Sequence, residues 1–254
     1  MIQIIERFAT QSPCWKTNVY QQSIGPEHPD ADARYQQYYS SRHKLALHSL
    51  GCARASADYQ SDKWNNPNNN SAIAHAVVDS NDGIARQNLR WDMRGWHCGT
   101  PGNNFMIGVE MGESDAIHYK GSTDKFEVLD MEKARRHCTT AYNGAVALFA
   151  ELCLMFALDP AEDILSHKEA AAKGLAGAHT DPEHYWVGLG MAYTMDGFRA
   201  AVKRQMDAQN QGSGGKLYRI QVGAFHNSDY ARAFLEEVQR HYPKAFMKTV
   251  DESE

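Results

Sequence analysis

Between residues 130 and 158 apolar side chains recur at helical spacing: Cys138, Ala141, Tyr142, Ala145, Val146, Leu148, Phe149, Leu152, Met155 and Phe156. A helix with an apolar stripe this long must be covered by another layer of structure. Asp159-Pro160 ends it, because proline cannot continue the hydrogen-bond ladder. The covering layer is legible on either side. Lys44–Ser49, 71–79, 84–88, 105–111 and Ile164–Ser166 read as short strands, and Asp82-Gly83 makes a hairpin turn between 71–79 and 84–88. One long helix among short strands predicts an α/β fold: a central mixed β-sheet flanked by helices. Residues 1–43 read as irregular, and KWNNPNNNS as a polar loop.

A last helix is expected over 195–208, followed by the flexible composition QNQGSGG at 209–215. Beyond it, KLYRIQVGAF reads as a strand, 228–241 as an amphipathic helix and 244–250 as a second strand, a small βαβ module. The net charge is −5 with no long run of one sign, which argues against a nucleic-acid partner. No apolar run reads as a membrane span, and the N-terminus lacks the pattern of a signal peptide. Five cysteines with no CxxC pair predict neither a disulfide framework nor a zinc knuckle.

The histidines are more telling. LHSLG places His48 at the end of a predicted strand, and His167 follows another in SHKEAAAKGLAGAHTDPEHYW. Strand ends far apart in sequence can meet at one edge of a sheet. A catalytic zinc takes three protein ligands and keeps one position open, and a nearby carboxylate can carry its proton. Glu110, ending FMIGVE, is well typed for that. Each residue also has a plainer reading: His48 as a satisfied polar group, His75 as packing in AHAVV, Glu110 as a salt-bridge partner. Cys98 beside His97 is not read as a nucleophile pair, since neighbours on a strand point to opposite faces.

Taken in order, LHSLG, RGWHCG, IGVEMGE and SHKE…HTDP resemble the peptidoglycan-recognition-protein-like family of N-acetylmuramoyl-L-alanine amidases, in particular its phage and prophage endolysins. The resemblance covers roughly residues 40–205. It implies Zn2+ held by His48, His167 and Asp181, the last because it precedes Pro182, with His179 as the alternative third ligand. It further implies Glu110 as the catalytic carboxylate and His179 as a transition-state stabiliser where the family often has lysine. Trp96, His97 and His75 would line the substrate groove. The implied reaction is hydrolysis of the amide between N-acetylmuramic acid and L-alanine of bacterial peptidoglycan. The implied setting is synthesis in the bacterial cytoplasm without a signal peptide and action on the cell wall after release.

LYRIQVGAF and the helix after it resemble the start of a SPOR domain, a module that binds glycan strands, with Gln221 and Phe225 as candidate contacts. The expected organisation is a zinc amidase catalytic domain at 1–208, a linker at 209–215 and a partial SPOR-like module at 216–254. The alternatives are a peptidoglycan-binding protein that does not cut and a muropeptide-recycling amidase. Three filled ligand positions favour an enzyme, and the wall-binding tail argues against a small soluble substrate.

Overall fold

The computed structural model describes residues 3–41, 43–121, 124–212, 228–241 and 247. Two compact units divide the chain, Met1–Gln209 and Asn210–Glu254. The first is built on a six-stranded sheet. Its strands are β1 (Ile4–Glu6), β2 (Lys44–Ser49), β3 (Ala76–Val78), β4 (Ala85–Gln87), β5 (Met106–Met111) and, after the small β6 (Ile117–Tyr119) and β7 (Phe126–Val128) hairpin, β8 (Ile164–Ser166). The order across the sheet is β1-β4-β3-β5-β2-β8. Only the β3–β4 hairpin is antiparallel; every other neighbouring pair is parallel, so the sheet is mixed as expected. Gly83, at φ 73°, closes that hairpin in the left-handed region that favours glycine.

The pleat sorts the central strands into two faces. Leu45 and Leu47 of β2, Ile107 and Val109 of β5 and Ile164 of β8 join the main core with α4 (Met131–Phe156). Ala46 of β2 and Met106 of β5 pack in a second cluster with Cys98 and Leu165. His48 shares the parity of Ala46, and Glu110 that of Met106, so both polar groups project from the face away from α4. Asp130 caps α4 by accepting the Lys133 amide. By length and composition α4 could cross a bilayer, which corrects the sequence reading, but its apolar stripe is covered by the sheet and by Phe198 and Val202 of a later helix. All five cysteines are free.

The N-terminal region departs from expectation. Residues 1–43 hold β1, α1 (Pro13–Ile24) and α2 (Ala33–Ser40) rather than irregular chain. The inward face of α1 is polar, so no apolar period announces it: its buried residues are Cys14, Asn18 and Gln21. Asn18 docks by hydrogen bonds instead, its Nδ2 donating to the Arg94 carbonyl at 3.0 Å and its Oδ1 accepting the Arg94 amide at 2.7 Å. Ser12 as N-cap with Pro13 behind it was the readable signal. Another helix, α3 (Ala57–Trp64), takes in the first residues of the stretch read as a polar loop. The short α5 (Pro160–Asp163), α6 (His167–Ala172) and α7 (Glu183–Gly188) follow α4, and α8 (Met195–Gly212) runs four residues into the segment read as linker. Gln and Asn propagate a helix tolerably, so the ladder continues to Gly212. In the second unit α9 (Ser228–His241) forms as expected. The strand readings at 216–225 and, apart from Met247, at 244–250 lie outside the described residues, as do Gln221 and Phe225.

Candidate metal centre and active site

Parallel pairing sets His48 of β2 directly beside Glu110 of β5. On the other side β2 pairs with β8, whose last residue, Ser166, caps α6. His167 is therefore the first residue of a helix that starts at the sheet edge. A capping box holds this helix start: Glu169 donates its amide to Ser166 Oγ at 3.0 Å and accepts the Ser166 amide at 3.0 Å. The chain returns through Asp181, one residue before the proline that leads into α7.

The result is a buried cluster of His48, His167 and Asp181. His48 Nδ1 lies 3.0 Å from His167 Nδ1 and 3.2 Å from Asp181 Oδ2; His167 Nδ1 lies 3.4 Å from Asp181 Oδ1. Ligands at 2.0–2.1 Å from a tetrahedral ion stand about 3.3 Å apart. Two imidazole nitrogens and a carboxylate oxygen at this spacing fit a zinc ion. The Asp181 carboxyl sits well below the usual carboxylate range: the two histidines beside it outweigh the burial that would raise it. Burial pushes the His48 ring down, towards its neutral form, which is the form that ligates.

The tautomer of His48 is set from behind. His97 Nε2 lies 3.1 Å from the Met106 carbonyl, which can only accept, so that nitrogen carries the proton. Burial holds His97 far below an ordinary histidine, so the ring is neutral and its Nδ1 bare. His48 Nε2, 3.0 Å away, therefore donates to it, and His48 Nδ1 faces the cluster with its lone pair free. Gly108 makes room for the His97 ring; a Cβ there would lie 2.7 Å from His97 Cδ2.

Several expected groove residues take other places. His97 is buried behind His48. His75 is fully buried, donating from Nε2 to the Met93 carbonyl at 2.6 Å and accepting the Gly108 amide on Nδ1 at 3.0 Å, so backbone uses both nitrogens. Backbone partners decide both places: the Met106 carbonyl holds His97, and Met93 and Gly108 hold His75. Trp96 is part-buried, pairs through its backbone with Ile73 and lines a cavity with Asn18, Tyr35 and Arg94. His179 is half-exposed, stacked on His167 at 4.5 Å between centroids, with its Nδ1 3.8 Å from Asp181 Oδ1. That is beyond hydrogen-bond distance, and His179 stands outside the three-residue cluster.

Glu110 Oε2 is buried and has no hydrogen-bond partner among the described residues. Burial, with Asp181 and Glu113 nearby, pushes its carboxyl well above the usual range. Glu113, fully buried, is pushed up to about 7 by the same burial. It belongs to IGVEMGE, where a role was expected only for Glu110.

A model of the N-acetylmuramoyl-L-alanine amidase family matches residues 33–184, a span that holds His48, Glu110, His167 and Asp181. A SPOR-domain model matches residues 182–249, beginning well before the expected boundary at 216. Among solved structures, hydrolase AmiA of Staphylococcus aureus, solved with its ligand, is 17% identical; 70% of this chain and 78% of that one are covered, with a TM-score of 0.52. The catalytic domain of XlyA is 19% identical over 79% of this chain and 99% of that one, with a TM-score of 0.48. No curated protein matches. The family model covers more than half of the chain, and the protein therefore belongs to the N-acetylmuramoyl-L-alanine amidase family and carries a SPOR domain towards its C-terminal end.

Proposed function

We propose that the protein is a zinc-dependent amidase that hydrolyses the bond between N-acetylmuramic acid and L-alanine of peptidoglycan, in the manner of a phage or prophage endolysin. The observation that carries this is the buried His48–His167–Asp181 cluster, with donor atoms 3.0–3.4 Å apart and Glu110 one strand away. Zinc bound there would supply a Lewis acid and bring the pKa of a water to about 7. His48 and His167 would hold it through Nδ1 and Asp181 through its carboxylate. Glu110 is suited to move a proton: its carboxyl is raised by burial, and its Oε2 has no partner among the described residues to compete. His179, half-exposed beside Asp181, would meet the oxyanion of a scissile carbonyl. The SPOR domain would hold the enzyme on glycan strands of the wall, where an endolysin acts after leaving the cytoplasm.

The test is digestion of purified peptidoglycan with and without a chelator, assayed for new L-alanine N-termini and new reducing ends. New amines without reducing ends, lost on chelation and restored by zinc, are expected. Wall binding without cleavage would turn the reading to a recognition protein, and a preference for small soluble muropeptides over intact walls to a recycling enzyme.

A further inference from the structure

Glu113 takes no part in the chemistry above, yet it is completely buried three residues past Glu110, where the chain leaves β5. Its only ion-pair partner among the described residues is His184, at 3.9 Å. A carboxyl group buried with no lysine or arginine beside it costs stability in either protonation state, so packing alone does not account for it.

Its contacts reach the chain just beyond two of the three clustered ligands, His48 and Asp181. Oε1 accepts the amide of Gly51, three residues beyond His48, at 3.1 Å. Oε2 accepts the Tyr119 hydroxyl proton at 2.6 Å. With that proton committed, the Tyr119 oxygen accepts from His184 Nε2 at 2.9 Å. His184 lies three residues beyond Asp181, in the first turn of α7. The next residue adds a second tie: the Ser114 amide donates to the Tyr185 hydroxyl oxygen at 2.9 Å. One short segment, 110–114, therefore carries the proposed general base and fastens the chain on either side of the metal cluster.

We propose that Glu113, acting through the Tyr119 hydroxyl, is a positioning residue that sets how far apart His48 and Asp181 are held. This rests on the zinc amidase reading above. Outer groups that orient metal ligands typically change metal affinity or activity by about 10–100-fold when removed. Tyr119→Phe deletes only the hydroxyl and is expected to weaken zinc binding about tenfold, read by competition with a chromophoric chelator. It should lower kcat on peptidoglycan by a similar factor with KM unchanged. Glu113→Ala should do at least as much, and Glu113→Gln, which still accepts from Gly51, should recover part of the loss. A merely structural role would lower the Tm of the metal-free protein and leave zinc affinity at 25 °C in place. Wild-type zinc affinity in Tyr119→Phe overturns the proposal, whatever happens to Glu113→Ala, which can fail simply by folding poorly. A wild-type protein that binds zinc but releases no L-alanine amines defeats the amidase reading alone, because the affinity comparison still judges Glu113.

Discussion

Gly108→Ala probes the support behind His48 with a single methyl group. The added Cβ would lie 2.5 Å from His97 Nδ1 and 2.7 Å from Cδ2, where contacts between heavy atoms ordinarily settle at about 3.5–4.0 Å. The ring must withdraw by roughly 1 Å. It then loses its 3.0 Å contact with His48 Nε2, and the tautomer of His48 is no longer held. Overpacking of this kind costs about 1–3 kcal/mol. Alanine in place of glycine within a strand would by itself return about 0.5–1 kcal/mol. The two contributions separate in a double-mutant cycle with His97→Ala. Gly108→Ala should be destabilising in the wild-type background and neutral or stabilising once the ring is gone, a coupling of at least about 1 kcal/mol. Urea unfolding of the metal-free proteins measures it, as a shift in midpoint at unchanged slope. Chelator competition should show about 10–100-fold weaker zinc binding in the single variant. Equal costs of Gly108→Ala in both backgrounds would refute the steric reasoning, and unchanged zinc affinity would refute the link from His97 to the metal.

Glu110→Gln should keep zinc affinity near wild type and lower kcat by about 10²–10⁴-fold, the usual weight of a general acid-base; a fully active, zinc-loaded variant would remove Glu110 from the role. Asp181→Asn should lose zinc binding while His179→Ala retains it and loses kcat, and the reverse pattern in chelator competition would make His179 the third ligand. Glu113 holds its proton in the folded state up to about pH 7, where the unfolded chain loses it near 4.5. Stability of the metal-free protein should therefore be full below about pH 4.5, fall as pH rises to about 7 and level off above. At 1.36 kcal/mol per pH unit the window amounts to about 3 kcal/mol. Unfolding free energies for wild type and Glu113→Gln across this range should differ in slope, and parallel curves would show that Glu113 is not the source.

The elements whose cause is local were readable in the residues themselves. The 3.6-residue stripe of α4, the apolar runs of β2, β5 and β8 and the Asp82-Gly83 turn each carry their periodicity or turn chemistry within a few residues, and all formed. His48, His167, Asp181 and Glu110 were legible for a related reason: each sits at or just beyond a strand end or before a proline, in a motif short enough to recognise. The rest depended on how distant segments pack together. Nothing within RGWHCG tells that His97 turns inward, because that depends on Gly108, eleven residues away, leaving a gap in the pleat. α1 was hidden because Asn18 docks it through hydrogen bonds to Arg94, and burial of a polar face has no apolar period to read. Glu113 gained its place only when β5, the loop after His48, the β6–β7 hairpin and α7 came together, since a carboxylate with partners 62, 6 and 71 residues away has no signature in any window of sequence.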